Sequence, residues 1–482
     1  MTTGPTAQVA AFIADCDPAA AGAAIFDQAL KVVADTFAAI LSGAGSEVAP
    51  PLLAYLDGLG APGGVPVLGT ARTASAEAAA LVNGSFGAAL DFDDVLSQMP
   101  GHPSAVVIPA LCSALGWTGG PVAGRRFLEA YIVGVEVGAK IAVGIGLGHY
   151  KRGYHATGTL CVLSAVAGLA RLLRLDPATT RTAIGIACST SAGLQANFGT
   201  MTKPLHSGWA ARSALAAVAL ARAGFTAAPN ALEAPGGLFA AYGTPDSDAA
   251  RTVAALGAPW TMLDPGIALK KFSCCYATHR AIDALQQIKV ELGLAPAVLA
   301  RLDCRVAPGA LTPLPYPAPR TGLEAKFSMD YALAAGVLDD SFAIWTFTDA
   351  AARRPEIADL YARIHVAEDS GCVAGQPDWP SRSYGSRGVV RLEATTVDGR
   401  IAAREVAIAP GHPQRALGWD DLALKFQDCA RSAGLPEQQA AAAFAGLQGL
   451  QGLPDVATLR DLMCLGPTAP DRAAAPTFGG IA

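Results

Sequence analysis

The chain has 482 residues, a formal net charge of -5 and only 16% charged residues. No Lys/Arg block or basic stripe occurs, so nucleic-acid binding lacks its electrostatic footprint. Hydrophobic residues make up 52%, which argues against disorder, and the length favours two domains over one.

The N-terminus, "MTTGPTAQVA", lacks the basic and apolar regions of a signal peptide. The longest stretch free of Asp, Glu, Lys and Arg runs from Val95 to Gly124. Its apolar part, Ser104 to Trp117, is too short to span a bilayer, so no membrane partner is expected. The ten cysteines are scattered and form no C-x-x-C pair, which fits a reduced, cytoplasmic compartment.

In chain order, residues 20–42 carry helical apolar spacing and stop at Gly43. Further helices are expected over 75–90, 104–117, 125–145 and 159–175. Asp176-Pro177 supplies an N-cap and an N1 proline for the next. Another runs over 208–225. Most are apolar nearly all round, as in a buried bundle. Beyond residue 267 the character changes. Residues 276–294 read as helix, and β-like runs follow at 301–309, 363–369 and 388–410. The last alternates about Asp398-Gly399, a hairpin signal. From Trp419 the chain is helical again. The expectation is a mainly α fold: a discontinuous all-helical domain (1–266, completed by 411–465) with an inserted, smaller α+β lid (267–410). Residues 466–482 read as a flexible tail.

Polar chemistry concentrates in a few places. "DFDDVLSQMPGHPS" holds Asp91, Asp93, Asp94 and His102. Pro103 suits a helix start, which sets His102 at the positive end of the dipole and favours its neutral form, as a general base needs. A magnesium clamp on the acids would require a facing acidic cluster, and none is found. Solvated acids at a helix end are the plain alternative, most readily for Asp94. "GHYKRGYHATGT" holds His149 and His155, whose spacing fits no metal-binding helix. In "GTMTKPLHSGWAA", Lys203 precedes a helix expected to begin near Ser207, with His206 beside it. A lysine at a helix N-terminus makes sense if an anion lies between them. "LKKFSCCYATHRAID" brings Lys270, Lys271 and Cys275, with His279 and Asp283 set to pair. "LPYPAPRTGLEAKF" brings Tyr316, Arg320 and Lys326, donors suited to carboxylates.

These motifs, in this order, resemble the MmgE/PrpD family, which includes 2-methylcitrate dehydratase, cis-aconitate decarboxylase and iminodisuccinate epimerase. The matching pieces are "DFDD…GHPS", "GYHATGT", "GTMTKPLHSGWAA", "LKKFSCCYATH" and "PRTGLEAKFSMDYA". The resemblance implies a helical domain plus lid, a homodimer, and a cleft acting on small di- or tricarboxylates with no cofactor and no metal. It carries catalytic roles onto Asp91, His102, His155, Lys203 and Lys270, and a pocket role onto Tyr316. Arg320, His206, Lys271 and Cys275 join as expected substrate contacts. Two positions depart from the decarboxylase pattern: Val95 stands for its Thr and Cys275 for its His. The Asp-to-His spacing is also one residue longer, which looks more like the epimerase branch. The expected reaction is removal of a proton α to a carboxylate, leading to epimerisation of an iminodisuccinate-like substrate. A dehydratase or decarboxylase is the alternative, and a non-catalytic helical scaffold the rival of another class.

Overall fold

The computed structural model of the chain describes residues 4–377 and 383–466. Of the expected tail, residues 467–482 lie outside them. Helix accounts for 57% and strand for 8%, a mainly α fold.

Two apolar cores form. The first draws on the helices Ala24–Ala44, Ala76–Ala89, Ser104–Ser113, Gly124–Ile145, Cys161–Leu173 and Thr202–Arg222. It is joined by Trp419–Ser432 and Glu437–Gln448 from the far end of the chain. Ala76–Ala89, Ser104–Ser113 and Cys161–Leu173 are filled by apolar and small residues and buried on nearly every face, whereas Trp419–Ser432 and Glu437–Gln448 bury one stripe. In Ala76–Ala89 every residue from Ala78 onward is buried, and the Ser75 side chain caps the start by accepting from the Ala78 amide. Glycine permits the closest crossing: a Cβ on Gly208 would stand 2.1 Å from the Leu81 carbonyl oxygen. That contact presses Thr202–Arg222 against Ala76–Ala89, and both helices point their ends at the site described below.

The second core packs the helices His279–Leu292 and Met329–Leu338 with a four-stranded sheet. The strand order is Ile364–Glu368, Leu299–Val306, Val390–Thr396, Ile401–Val406, parallel for the first pair and antiparallel for the others. The hairpin expected at Asp398-Gly399 is present, with Gly399 at φ 84° as such a turn requires.

Several expectations need correction. The helix after Lys203 begins at Thr202, five residues earlier than expected, with Pro204 tolerated in a first turn whose amides need no intrahelical partner. The helix Ala49–Leu59 was not expected, since its Pro50-Pro51 pair reads as a turn yet sits at the helix start. Residues 156–173 make one helical stretch long and apolar enough to cross a membrane by length and composition, and 89% of it is buried inside the protein.

Candidate active site

The site begins where Ala76–Ala89 ends. Leu90 closes that helix, and Asp91 takes a left-handed conformation, φ 50°. Aspartate tolerates this region better than most residues, and such strain collects at functional sites. The turn aims the Asp91 carboxylate at two buried lysines. Lys203 Nζ lies 2.5 Å from Oδ1, and Lys270 Nζ lies 2.8 Å from Oδ2 and 2.8 Å from the Asp91 carbonyl oxygen. Lys203 comes from the first turn of Thr202–Arg222. Lys270 comes from an extended segment held by paired backbone bonds between Val95 and Ala268, and by the Leu269 amide on the Gly411 carbonyl. Burial would push the Asp91 carboxyl up, but the two ammonium groups outweigh it and hold it well below the usual range. Lys270 is also desolvated, and the charges of Asp91 and Asp93 more than offset this, raising its pKa.

His102 closes the loop. Its amide donates to Thr157 Oγ1 at 3.1 Å, and its Nδ1 lies 2.6 Å from the Asp94 carbonyl oxygen. A carbonyl only accepts, so Nδ1 carries the hydrogen and Nε2 is left with its lone pair. Burial lowers the His102 pKa to about 4, against the opposing charge of Asp93, so the ring is neutral near pH 7. His155 precedes the short helix Ala156–Thr159. Its Nδ1 lies 2.9 Å from Nδ1 of His206, so one of the two rings donates there. Burial, then the charge of Lys203, holds His155 well below the ordinary value; the same two causes bring His206 to about 4. The His102 and His155 rings stand edge to face, centroids 6.2 Å apart.

Asp91, His102, His155, Lys203, Lys270 and Cys275 all line one half-open pocket enclosing about 80 Å³. That volume is below the roughly 300–1,000 Å³ of pockets for drug-sized ligands. Val95 lines it as well, so both departures from the decarboxylase pattern fall on the pocket wall. Burial pushes the Cys275 thiol up to about 11, leaving it neutral.

Other expected site residues stand elsewhere. Lys271 and Arg320 are exposed and outside the lining; the Arg320 amide donates to Glu324, and its carbonyl accepts from Arg353. Tyr316 sits one layer behind the wall, its hydroxyl donating to the Phe198 carbonyl at 2.7 Å while Phe198 lines the pocket. His206 lies behind His155 and outside the lining. Proximity in sequence to a buried lysine or a proline-bounded loop did not translate into reach. Asp93 and Asp94 are fully buried, so the solvated reading of Asp94 fails. Asp94 accepts from the Ser104 hydroxyl at 2.6 Å, and burial lifts its pKa to about 8. Asp93 Oδ2 lies 3.5 Å from His102 Nδ1. His279 does not pair with Asp283, which instead bonds Arg415 at 2.6 Å. His149 is bonded to Thr159 Oγ1 and the Tyr242 carbonyl and stacked on Tyr154, a structural role.

Sequence reasoning passed over Tyr276 and Phe327, both on the lining. Tyr276 is buried and, among the described residues, its hydroxyl has no hydrogen-bond partner. Its place inside "SCCYATH" was the available signal. Among the described residues, no group of three or more His, Cys, Asp or Glu side chains is arranged to hold a metal ion.

Family comparison agrees with the ordered motifs. The profile described as MmgE/PrpD N-terminal domain matches residues 7–250, and the MmgE/PrpD C-terminal domain matches 272–447. The chain belongs to the MmgE/PrpD family. Similar curated proteins include a cis-aconitate decarboxylase of Aspergillus terreus, 28% identical over 327 residues, 63% of this chain and 66% of that protein. The cis-aconitate decarboxylases of Homo sapiens and Mus musculus are 26% and 27% identical. They match over 72% and 82% of this chain, and 71% and 80% of their own lengths. The chain thus spans just under two thirds of the Aspergillus relative. These relatives carry decarboxylase names, and the epimerase branch rests on motif likeness alone.

Proposed function

We propose that the protein is an MmgE/PrpD-family enzyme that removes a proton α to a carboxylate of a small di- or tricarboxylate. The observation that carries this reading is the fixed His102 tautomer: Nδ1 is spent on the Asp94 carbonyl, leaving Nε2 as an acceptor in a pocket also lined by two buried lysines. His102 takes the proton as general base. Asp91 is a poor candidate for that task, because two ammonium groups stabilise its ionised form. Lys203 and Lys270 bind a substrate carboxylate and stabilise the enolate-like charge that develops. Cys275, a neutral thiol on the wall, contributes to the fit of the substrate. His155 is the second proton carrier: when its Nδ1 accepts from His206, its Nε2 bears a hydrogen it can give to the carbanion, after which His155 regains a proton from solvent and His102 releases the one it took.

A base and a separate proton donor support epimerisation, and Val95 and Cys275 on the lining support a substrate unlike that of a decarboxylase. A lyase outcome is the second reading, favoured by the names of the similar proteins. Both share the carbanion and differ in its fate. Incubation with a panel of small di- and tricarboxylates, with chiral separation and carbon dioxide measurement, tests the choice. Stereochemical inversion without loss of carbon supports the epimerase; release of carbon dioxide or water assigns a lyase; turnover of none of the panel contradicts the proposal.

A further inference from the structure

The helix Trp419–Ser432 carries Lys425 inward on a face shared with Leu422, Phe426 and Cys429. A buried ammonium is costly unless each of its three N–H groups finds an acceptor. All three do. Nζ lies 2.6 Å from Asp35 Oδ1, 2.7 Å from the Phe92 carbonyl oxygen and 2.9 Å from the Lys270 carbonyl oxygen. It also sits 3.7 Å from the centre of the Phe92 ring.

Two of these acceptors belong to the active-site backbone. Phe92 follows Asp91, the residue held in a left-handed turn, and the third acceptor is the backbone of Lys270 itself. Lys270 lies in neither helix nor strand, and among the described residues no other donor reaches either carbonyl. Lys425 is absent from the pocket lining. It therefore touches no substrate, yet it fastens both halves of the Asp91–Lys270 pair from behind.

We propose that Lys425 is a positioning residue: its bonds to the Phe92 and Lys270 carbonyls hold Lys270 against Asp91, and so set the lysine where the carboxylate of the substrate binds. The proposal rests on the pocket function above for its kinetic consequence, but its structural consequence can be read separately. A misplacement of about 1 Å in such a site costs on the order of a hundredfold in rate.

The test compares Lys425→Met, which keeps the stem and removes every donor, with Asp35→Asn, which removes the counter-charge and leaves an acceptor. Full-length proteins are melted, assayed at a temperature where both are folded, and crystallised. Lys425→Met should lose tenfold to a hundredfold in kcat with KM within threefold, and its Lys270–Asp91 contact should open by more than 0.5 Å. Asp35→Asn should lower the melting temperature and keep kcat within threefold. An unchanged contact in folded Lys425→Met overturns the proposal, as does an equal loss of kcat in the two variants. Absence of turnover in the wild type would count against the pocket function alone, because the crystal structure still decides the positioning. Should Lys425→Met not fold, Lys425→Gln carries the same measurements. Failure of both to fold assigns Lys425 to stability and overturns its positioning role.

Discussion

The two walls of the pocket differ in how their polar atoms are held. On the helical side, Asp91, His102, His155 and Lys203 are each fixed by a partner: lysines on the carboxylate, a carbonyl on one ring, a second imidazole on the other. On the other side, Cys275, Tyr276 and Phe327 bring a thiol, a hydroxyl without a hydrogen-bond partner among the described residues, and an apolar ring. Lys270 stands at the junction, between Leu269 in the first core and Phe272 in the second. The contrast teaches a division of labour. Under the proposed function, preorganised charge and a fixed tautomer act on the reacting carbon, where reorganisation would slow the step. Under the same proposal, the less firmly bonded groups on the lining select what fits.

That division predicts kcat losses on the helical side and KM changes on the other. The largest effect belongs to His102→Asn, which removes the base: kcat falls by about 10² to 10⁴ with KM nearly unchanged. Equal losses in kcat for His102→Asn and Cys275→Ser would break the contrast. Next, Lys203→Ala removes a donor to the developing charge and lowers kcat by on the order of 10² to 10³. It also leaves Asp91 with one lysine, so the melting temperature drops.

The pH profile sharpens the same wall. As the proposed base, His102 must be unprotonated, and burial lowers its pKa from 6.5 to about 4. The kcat/KM plateau should therefore extend down to about pH 5, with the acid limb near 4; a limb near 6.5 would place the base elsewhere. The unfolded chain binds a proton at this histidine between pH 6.5 and about 4 while the folded one does not. Stability falls as pH drops through that window, and initial rates must be taken before unfolding. On the other side, Tyr276→Phe should raise KM by roughly threefold to tenfold, the worth of one hydrogen bond of about 0.5–1.5 kcal/mol, and spare kcat. The smallest effect is that of Arg320→Ala. Exposed and outside the lining, it should change kcat/KM by less than about twofold.

Much of this is legible in the sequence. Helices apolar nearly all round such as Ala76–Ala89, the Asp398-Gly399 hairpin and the family motifs all declare themselves locally. Asp91, His102, His155, Lys203 and Lys270 could be named by matching motifs, and their convergence is what only the fold supplies. Other features have no local signature. The Asp35–Lys425 bond joins residues 390 positions apart. Solvation of Asp94 stayed open as an alternative because its burial is not written in the local pattern, although the Ser104 hydroxyl that holds it lies only ten residues on. Lys271 and Arg320 carry the right charge in the right motif, but direction of a side chain out of an extended or turning segment is set by packing. The start of the Lys203 helix was misplaced because Pro204 reads as a break, although proline is at home in a first turn.

The most direct test of the central claim is proton NMR in D₂O, following the α-hydrogen of the panel's turned-over carboxylate with wild type and His102→Asn side by side. Wild type should exchange the α-hydrogen for deuterium, and His102→Asn, folded and still binding the ligand, should slow that exchange at least a hundredfold. Exchange at the wild-type rate in the variant would contradict the assignment of His102 as the base.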